Sequence, residues 1–378
     1  MFQKNIASIF LLLVIMVAFA ACEKDMSPDD PLPDEREHTV FITTNSNRLY
    51  GYNAETGNKT WEKSLNDKLS GSTVILGDTL YAITQDGTFY AWDLRTQDEL
   101  HKEAVDMTNG LSLAASDSLI YVAGGNKLYC YNPSGTLRWD YNGNNGSPTT
   151  GVSLKDDRVY LAFGNEVHCV DVDGFPIWVS TGNGFGIITT TIKPQDNALY
   201  FGDDDNKMYS INIADGSLIW SYTTAAQIKS SPLVYGGMSI SGSDDNNIYC
   251  VDFLPGAGQQ GLLRWSLPTQ ERVRSSAAIH IPSNTVLIGC HDYNLYAINH
   301  VTGALKWKYP TGSLINSSPT VVGNYAYFTS YDKYMYCIDV RTGSLRWKTN
   351  MNYSADGSPV VDNITAEFYS GVSGVSPH

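Results

Sequence analysis

The stretch TVVGNYAYFTSYDKYMYCIDVRTGSLRW, residues 320 to 347, decides how the rest of the chain reads. An apolar run, Thr320-Val321-Val322, meets a turn, and Tyr325-Ala326-Tyr327-Phe328 follows. Asp332-Lys333 turns the chain into Tyr334-Met335-Tyr336-Cys337-Ile338-Asp339, and a last segment carries Trp347. Short runs rich in β-branched and aromatic residues, separated by turn signals, predict four antiparallel strands. A single sheet of this kind cannot cover its own apolar faces, so it needs neighbours of the same sort.

The neighbours are present. From residue 40 onward the unit returns about every 40 residues, the period of a propeller blade. Trp61, Trp139, Trp178, Trp220, Trp265, Trp307 and Trp347 each close one copy, with Leu100 in the corresponding place between the first two. The spacings on that reading are 39, 39, 39, 42, 45, 42 and 40 residues. Eight copies predict an all-β, eight-bladed propeller of four-stranded antiparallel blades.

Columns of equivalent residues support the alignment. The third strand holds Tyr50, Tyr90, Tyr129, His168, Tyr209, Tyr249, Tyr296 and Tyr336, which share one face because strand side chains alternate. Three residues on stands Asn or Asp, from Asn53 to Asp339, short polar side chains able to hold the following turn. That turn ends in glycine in most copies, as in Thr56-Gly57 and Thr342-Gly343, where a positive φ suits a residue without Cβ. The tryptophan follows four residues later, placed to cover the seam between blades.

Ala297-Ile298-Asn299, Thr302-Gly303 and Trp307, like Cys337-Ile338-Asp339, Thr342-Gly343 and Trp347, resemble the tryptophan-docking repeat of the pyrroloquinoline-quinone-type propellers. The resemblance covers residues 40 to about 371 and specifies a fold; enzymes and scaffolds both use it. The first copy begins at Val40-Phe41-Ile42 without an innermost strand, and Ser358-Pro359-Val360-Val361 is a surplus one at the other end. Together they should complete one blade and remove an exposed sheet edge. Glu367-Phe368-Tyr369-Ser370 competes with residues 40–44 for one position.

Residues 1–21 read as a secretory signal: Lys4, an apolar run from Ile9 to Phe19 too short to span a bilayer, then Ala20-Ala21 before Cys22. The ending resembles a bacterial lipobox, which implies lipidation of Cys22, although Phe19 stands where an aliphatic residue is usual. Residues 22–38, rich in Asp, Glu and Pro, read as a disordered tether, leaving 39–378 as the propeller. Signal, tether and eight such repeats resemble the BamB family of lipoprotein scaffolds, which implies an outer-membrane site, on its periplasmic face or at the cell surface.

With 39 acidic against 25 basic side chains, the net charge of −14 repels polyphosphate and argues against nucleic acid as a partner. Catalytic chemistry is hard to find. No two cysteines are adjacent and no large insertions occur, whereas the quinone dehydrogenases resembled by the repeat carry both, with calcium; no cofactor is expected. Cys130, Cys169, Cys250 and Cys337 share a column with Gly51, Ala91, Ser210 and Ala297 and read as small buried fillers, and Cys290 as a packed thiol. No histidine spacing suits zinc, and Asp203-Asp204-Asp205-Asn206 and Asp244-Asp245-Asn246-Asn247 read as hairpin turns before calcium sites. No catalytic or metal residue is therefore assigned.

Binding is expected on the segments that lead into innermost strands. They place Lys229, Arg272, Arg274, Asn316 and Asp356 on one rim, the first three a basic cluster suited to an acidic partner or balanced by nearby Asp. The expectation is a monomeric, non-catalytic scaffold at the outer membrane that binds another protein, in barrel assembly if the resemblance extends to function. A surface lipoprotein that binds glycan or another extracellular ligand is the alternative, and a quinone enzyme a third.

Overall fold

The columns seen in the sequence become layers of a ring. The computed structural model describes residues 38–69, 71, 73–104, 110–116, 118–143, 146–252 and 260–362. These form eight four-stranded antiparallel sheets, here blades I to VIII, each with strands A to D in sheet order. In blade VIII they are Thr320–Val322, Tyr325–Thr329, Tyr334–Asp339 and Leu345–Asn350. A strands of neighbouring blades contact one another, so A is innermost and D outermost. Strands B and C are nearly all buried because a blade is covered on both faces, whereas D alternates and leaves one edge in water.

Blade I is built from both ends of the chain. Its B, C and D strands are Thr39–Thr44, Arg48–Asn53 and Lys59–Ser64, and its A strand is Val360–Val361. Val40 pairs with Val361 and Phe41 with Val360. Residues 39–44 thus hold the B position; the rival segment Glu367–Ser370 lies outside the described residues, as do the leader, Cys22 and the tether up to residue 37.

Indoles lock the seams. Trp139 Nε1 donates to Val172 O (2.8 Å), Trp178 to Ile213 O (3.2 Å), Trp265 to His300 O (2.9 Å) and Trp307 to Val340 O (3.1 Å), each in the next blade. Trp347 closes the ring on Ala54 O at 3.0 Å. These five indoles each lie on the turn glycine of the next blade: a Cβ on Gly57 would stand 2.6 Å from Trp347, and one on Gly343 2.8 Å from Trp307. Glycine is needed there twice over, since Gly57 and Gly343 have φ of +72° and +75°. On the other side the indole faces the small column, with Trp139 opposite Cys130 and Trp347 opposite Cys337.

The place given to Leu100 needs correction. In every blade the C–D pairing slips by one residue at the same point, a bulge just before the docking residue. In blade II the bulge residue is Leu100, 56% exposed, and His101 pairs with Ala91 in the docking column. His101 also occupies the indole's seat on Gly135, where a Cβ would meet its ring. Gln97, with φ of +64°, fills the turn position that glycine holds elsewhere, and four residues beyond it is His101.

Two further sets of bonds set the loops. The Asn/Asp column holds its turns as expected: Asn53 Oδ1 accepts from the Thr56 amide at 2.8 Å, and Asp93 Oδ1 from that of Thr96 at 2.8 Å. Around the axis runs a belt of serines in which each amide donates to the next blade's hydroxyl. Ser231 donates to Ser276, Ser276 to Ser318 and Ser318 to Ser358, all at 3.0 Å. These buried amides belong to inner segments whose edge has no further strand to pair with, and the hydroxyls satisfy them.

Candidate functional site

An antiparallel blade sends its B–C turn and the D–A loop to one end of the ring and its A–B and C–D turns to the other. At the first end the backbone stitches blades together. The Ile228 amide donates to Asp203 O of blade V (3.1 Å), while Asp244 of blade VI donates to Gln227 O (3.0 Å). Val273, Arg272 and His291 repeat the pattern one blade on, and the Asn45 amide on Ser354 O (3.0 Å) carries it across the closure. The residue after each buried anchor, Ile228, Val273, Ile315 and Ala355, is Lys229, Arg274, Asn316 and Asp356, so four of the five rim residues occupy equivalent positions and Arg272 stands just before its anchor.

Their chemistry is not one basic cluster. Arg274 makes a bidentate pair with Asp244, Nε to Oδ1 at 2.8 Å and Nη2 to Oδ2 at 2.6 Å, so its charge is spent inside the fold. Lys229 is half-buried, and Arg272 is exposed; neither has an ion pair among the described residues. Arg272 and Arg274 both lie near His291, where burial, assisted by their charge, pushes the imidazole below its ordinary range. His291 Nε2 pairs with Asn316 Oδ1 (3.2 Å), and Asn316 Nδ2 donates to Asp356 Oδ1 (3.4 Å). Tyr331 OH also donates to Asp356, and Asn45 Nδ2 reaches its Oδ2 at 3.2 Å. The structure thus joins two of the five rim residues, Asn316 and Asp356, with His291, Tyr331 and Asn45 in a polar chain across blades VII, VIII and I, and sets Arg272 and Arg274 beside its His291 end. Beside it Thr43, Thr44, Asn45, Asp356 and Ser358 line a polar cleft of about 160 Å³.

The acidic turns behind this face are structural. Asp245, Asp292 and Asp332 each accept the hydroxyl of the column tyrosine four residues on, Tyr249 (2.8 Å), Tyr296 (2.5 Å) and Tyr336 (2.5 Å). The same carboxylates accept loop amides of Ala225, Gln270 and Gly312. Burial works against the Asp292 carboxylate, but the bonds from Tyr296 and Asn294 outweigh it and hold its pKa below the ordinary value. Asp203, buried and bonded to the Gly186 and Lys207 amides, has its pKa raised, chiefly by burial. No group of three or more metal-ligating side chains occurs among the described residues. The Cys290 thiol, pushed up to about 12 by burial, is the reverse of an activated nucleophile.

The profile of the outer membrane protein assembly factor BamB matches residues 27–160 and 164–371. The chain belongs to that family. BamB membership accounts for the tryptophan-docking repeat and suggests an envelope-associated protein with a scaffold or binding role. No curated protein matches the chain. Among solved structures, the crystal structure of the computationally designed Ika8 protein is 17% identical, with a TM-score of 0.68 over 77% of this chain and 90% of that one. At that identity the likeness concerns the fold alone.

Sequence reasoning missed three features: His101 as a docking residue, the serine belt, and the tyrosine–aspartate pairs. The last had a local signal, since Asp-x-x-x-Tyr recurs at Asp86, Asp205, Asp245, Asp292 and Asp332.

Proposed function

We propose that this chain is a non-catalytic scaffold lipoprotein of the outer membrane that presents the D–A and B–C loops of blades VI to I to another protein in β-barrel assembly. One observation carries the reading. Framework positions are given over to seams and turns, whereas this face holds a pre-formed polar chain with Arg272, Tyr293 and Tyr353 exposed around it. Arginine and tyrosine are the residues that most often anchor protein interfaces, and a fixed polar surround lowers the ordering cost of binding. The Cys290 thiol stays protonated and is no activated nucleophile, which supports binding over catalysis.

The test is affinity capture of the tagged full-length chain from native envelopes, beside Arg272→Glu and Tyr353→Ala. Both exposed residues lie outside the core, so the variants should unfold at the same temperature as the parent. The expected result is an outer-membrane assembly subunit retained by the parent and lost by both variants. Equal retention by the variants refutes the face, and capture of glycan without protein refutes the scaffold reading.

A further inference from the structure

The two ends of the ring differ in what they expose. Of the large hydrophobic side chains exposed among the described residues, all but Ile187, Tyr293 and Tyr353 stand in C–D turns or in the first two residues of D strands. They therefore gather at the A–B/C–D end, opposite the candidate binding face. Phe175, 67% exposed, and Leu305 and Leu345 are examples. The bulge column at the same end is aliphatic in blades II, IV and V, with Leu100, Ile177 and Ile219. It is cationic in blades III, VI, VII and VIII, as in Leu137-Arg138 and Leu345-Arg346, and never acidic, in a chain with 39 acidic and 25 basic residues. Three carboxylates there, Asp78, Asp252 and Asp339, are paired with Arg95, Arg264 and Arg341, while Glu55, Asp98, Asp156, Asp157, Asp173 and Asp215 in the turns of this end are exposed, so its aliphatic groups and not its net charge set it apart.

The chain enters at this end. The Ala54 amide donates to His38 O at 2.7 Å, the bond that Leu94 makes to Asp78 and Val340 to Asn324 in other blades, so His38 sits where an A–B turn would be. Asp362, at the close of the ring, donates its amide to Thr39 O at 2.9 Å and accepts His38 Nδ1 at 2.7 Å. Both termini of the described ring leave on the side of the exposed aliphatic and cationic groups.

We propose that the A–B/C–D end lies against a phospholipid surface to which the chain is attached through Cys22, so that the D–A/B–C face points away toward its partner. The inference rests on the lipoprotein reading above. Residues 22 to 37 can span at most roughly 55 Å when extended, which holds the ring near the bilayer without choosing an orientation. Aliphatic side chains that enter the headgroup region, with the long stems of Arg138 and Arg346 beside them, make the choice.

The test is hydroxyl-radical footprinting of the full-length lipidated chain on vesicles of phosphatidylethanolamine and phosphatidylglycerol, against the Cys22→Ser chain free in solution. Oxidation of Phe175, Leu305 and Leu345 should slow severalfold on vesicles, with Tyr293 and Tyr353 unchanged. The pair Leu305→Asp and Leu345→Asp should restore the rate at Phe175. Equal protection of both ends, protection of Tyr293 and Tyr353 alone, or none at either end overturns the proposal. Mass spectrometry of the N-terminal peptide judges lipidation separately. A chain without lipid on Cys22 refutes the lipoprotein reading, and its footprint is then taken after coupling Cys22 to a maleimide lipid, the five described cysteines being buried.

Discussion

Replacing Trp347 by Ala and Gly57 by Ala, singly and together, tests whether the ring is held by indoles seated on glycine. Trp347 is 9% exposed, packs beside Tyr327 and Met351, and bonds Ala54 O across the closure. Truncating a core aromatic costs about 3–5 kcal/mol. The hydrogen bond adds little, on the order of 0.5–1 kcal/mol, because Ala54 O keeps the Tyr327 hydroxyl at 3.2 Å. Gly57→Ala places a methyl 2.6 Å from the indole on a backbone with φ of +72°. Overpacking and left-handed strain together should cost about 2–3 kcal/mol. Without the indole the main clash is gone, and backbone strain with the milder contact to Thr349 Oγ1 persists, about 1 kcal/mol together. The double variant should therefore be more stable than the sum by about 1–2 kcal/mol. Urea titration followed by far-ultraviolet circular dichroism measures all four proteins. Strict additivity, or a Trp347→Ala cost below about 1 kcal/mol, refutes the seam as the locking element.

Other outcomes follow from the same contacts. His101→Trp should stabilise by about 0.5–2 kcal/mol as a return to the consensus docking residue, whereas Leu100→Trp, on the exposed bulge, should change the urea midpoint little. Tyr296→Phe should cost about 1.5–3 kcal/mol at neutral pH, the range for a bond to a charged group. It should also raise the Asp292 pKa, readable by carboxyl carbon resonance. The contribution of that depressed carboxyl is present above its ordinary 3.8 and lost as pH falls through the folded value. His168 works at higher pH: burial lowers its imidazole from 6.5 to about 4, so its neutral form is stabilising above 6.5 and the fold loses up to about 3 kcal/mol as pH drops to 4. His168→Tyr, the column residue elsewhere, should flatten thermal stability across that interval; an unchanged slope refutes the assignment.

Much of the ring was legible because its parts are local and repeated. Trp347, Gly343 and Asp339 lie within one turn of each other in sequence, and their spacing encodes a strand, its turn and the seam residue together. The closure was legible by subtraction, since one copy lacked the inner strand that Val360-Val361 supplies. Blade II escaped because two substitutions coincide: Gln97 took the left-handed turn position and His101 the indole's seat, so neither letter of the Gly-to-Trp spacing survived. Ser231, Ser276, Ser318 and Ser358 escaped for another reason. Each makes its bond to a residue some forty positions away, and in all but Ser276 a proline follows, an ordinary composition for a turn.

The candidate face was legible as a position and not as chemistry. Counting from the inner strands puts Arg274 and Asn316 at equivalent places, but whether a charge is available depends on what the preceding blade's turn offers it. Asp244 takes up Arg274, His291 meets Asn316, and Tyr331 with Asn45 holds Asp356. Each pairing crosses a blade boundary, between segments whose separation in sequence is set by the repeat and whose side chains are not constrained by it. The framework can repeat because every seam asks for the same indole, glycine and small residue. The loops need only return their two backbone bonds, and the side chains beside those bonds are where one blade of the ring can come to recognise something another does not.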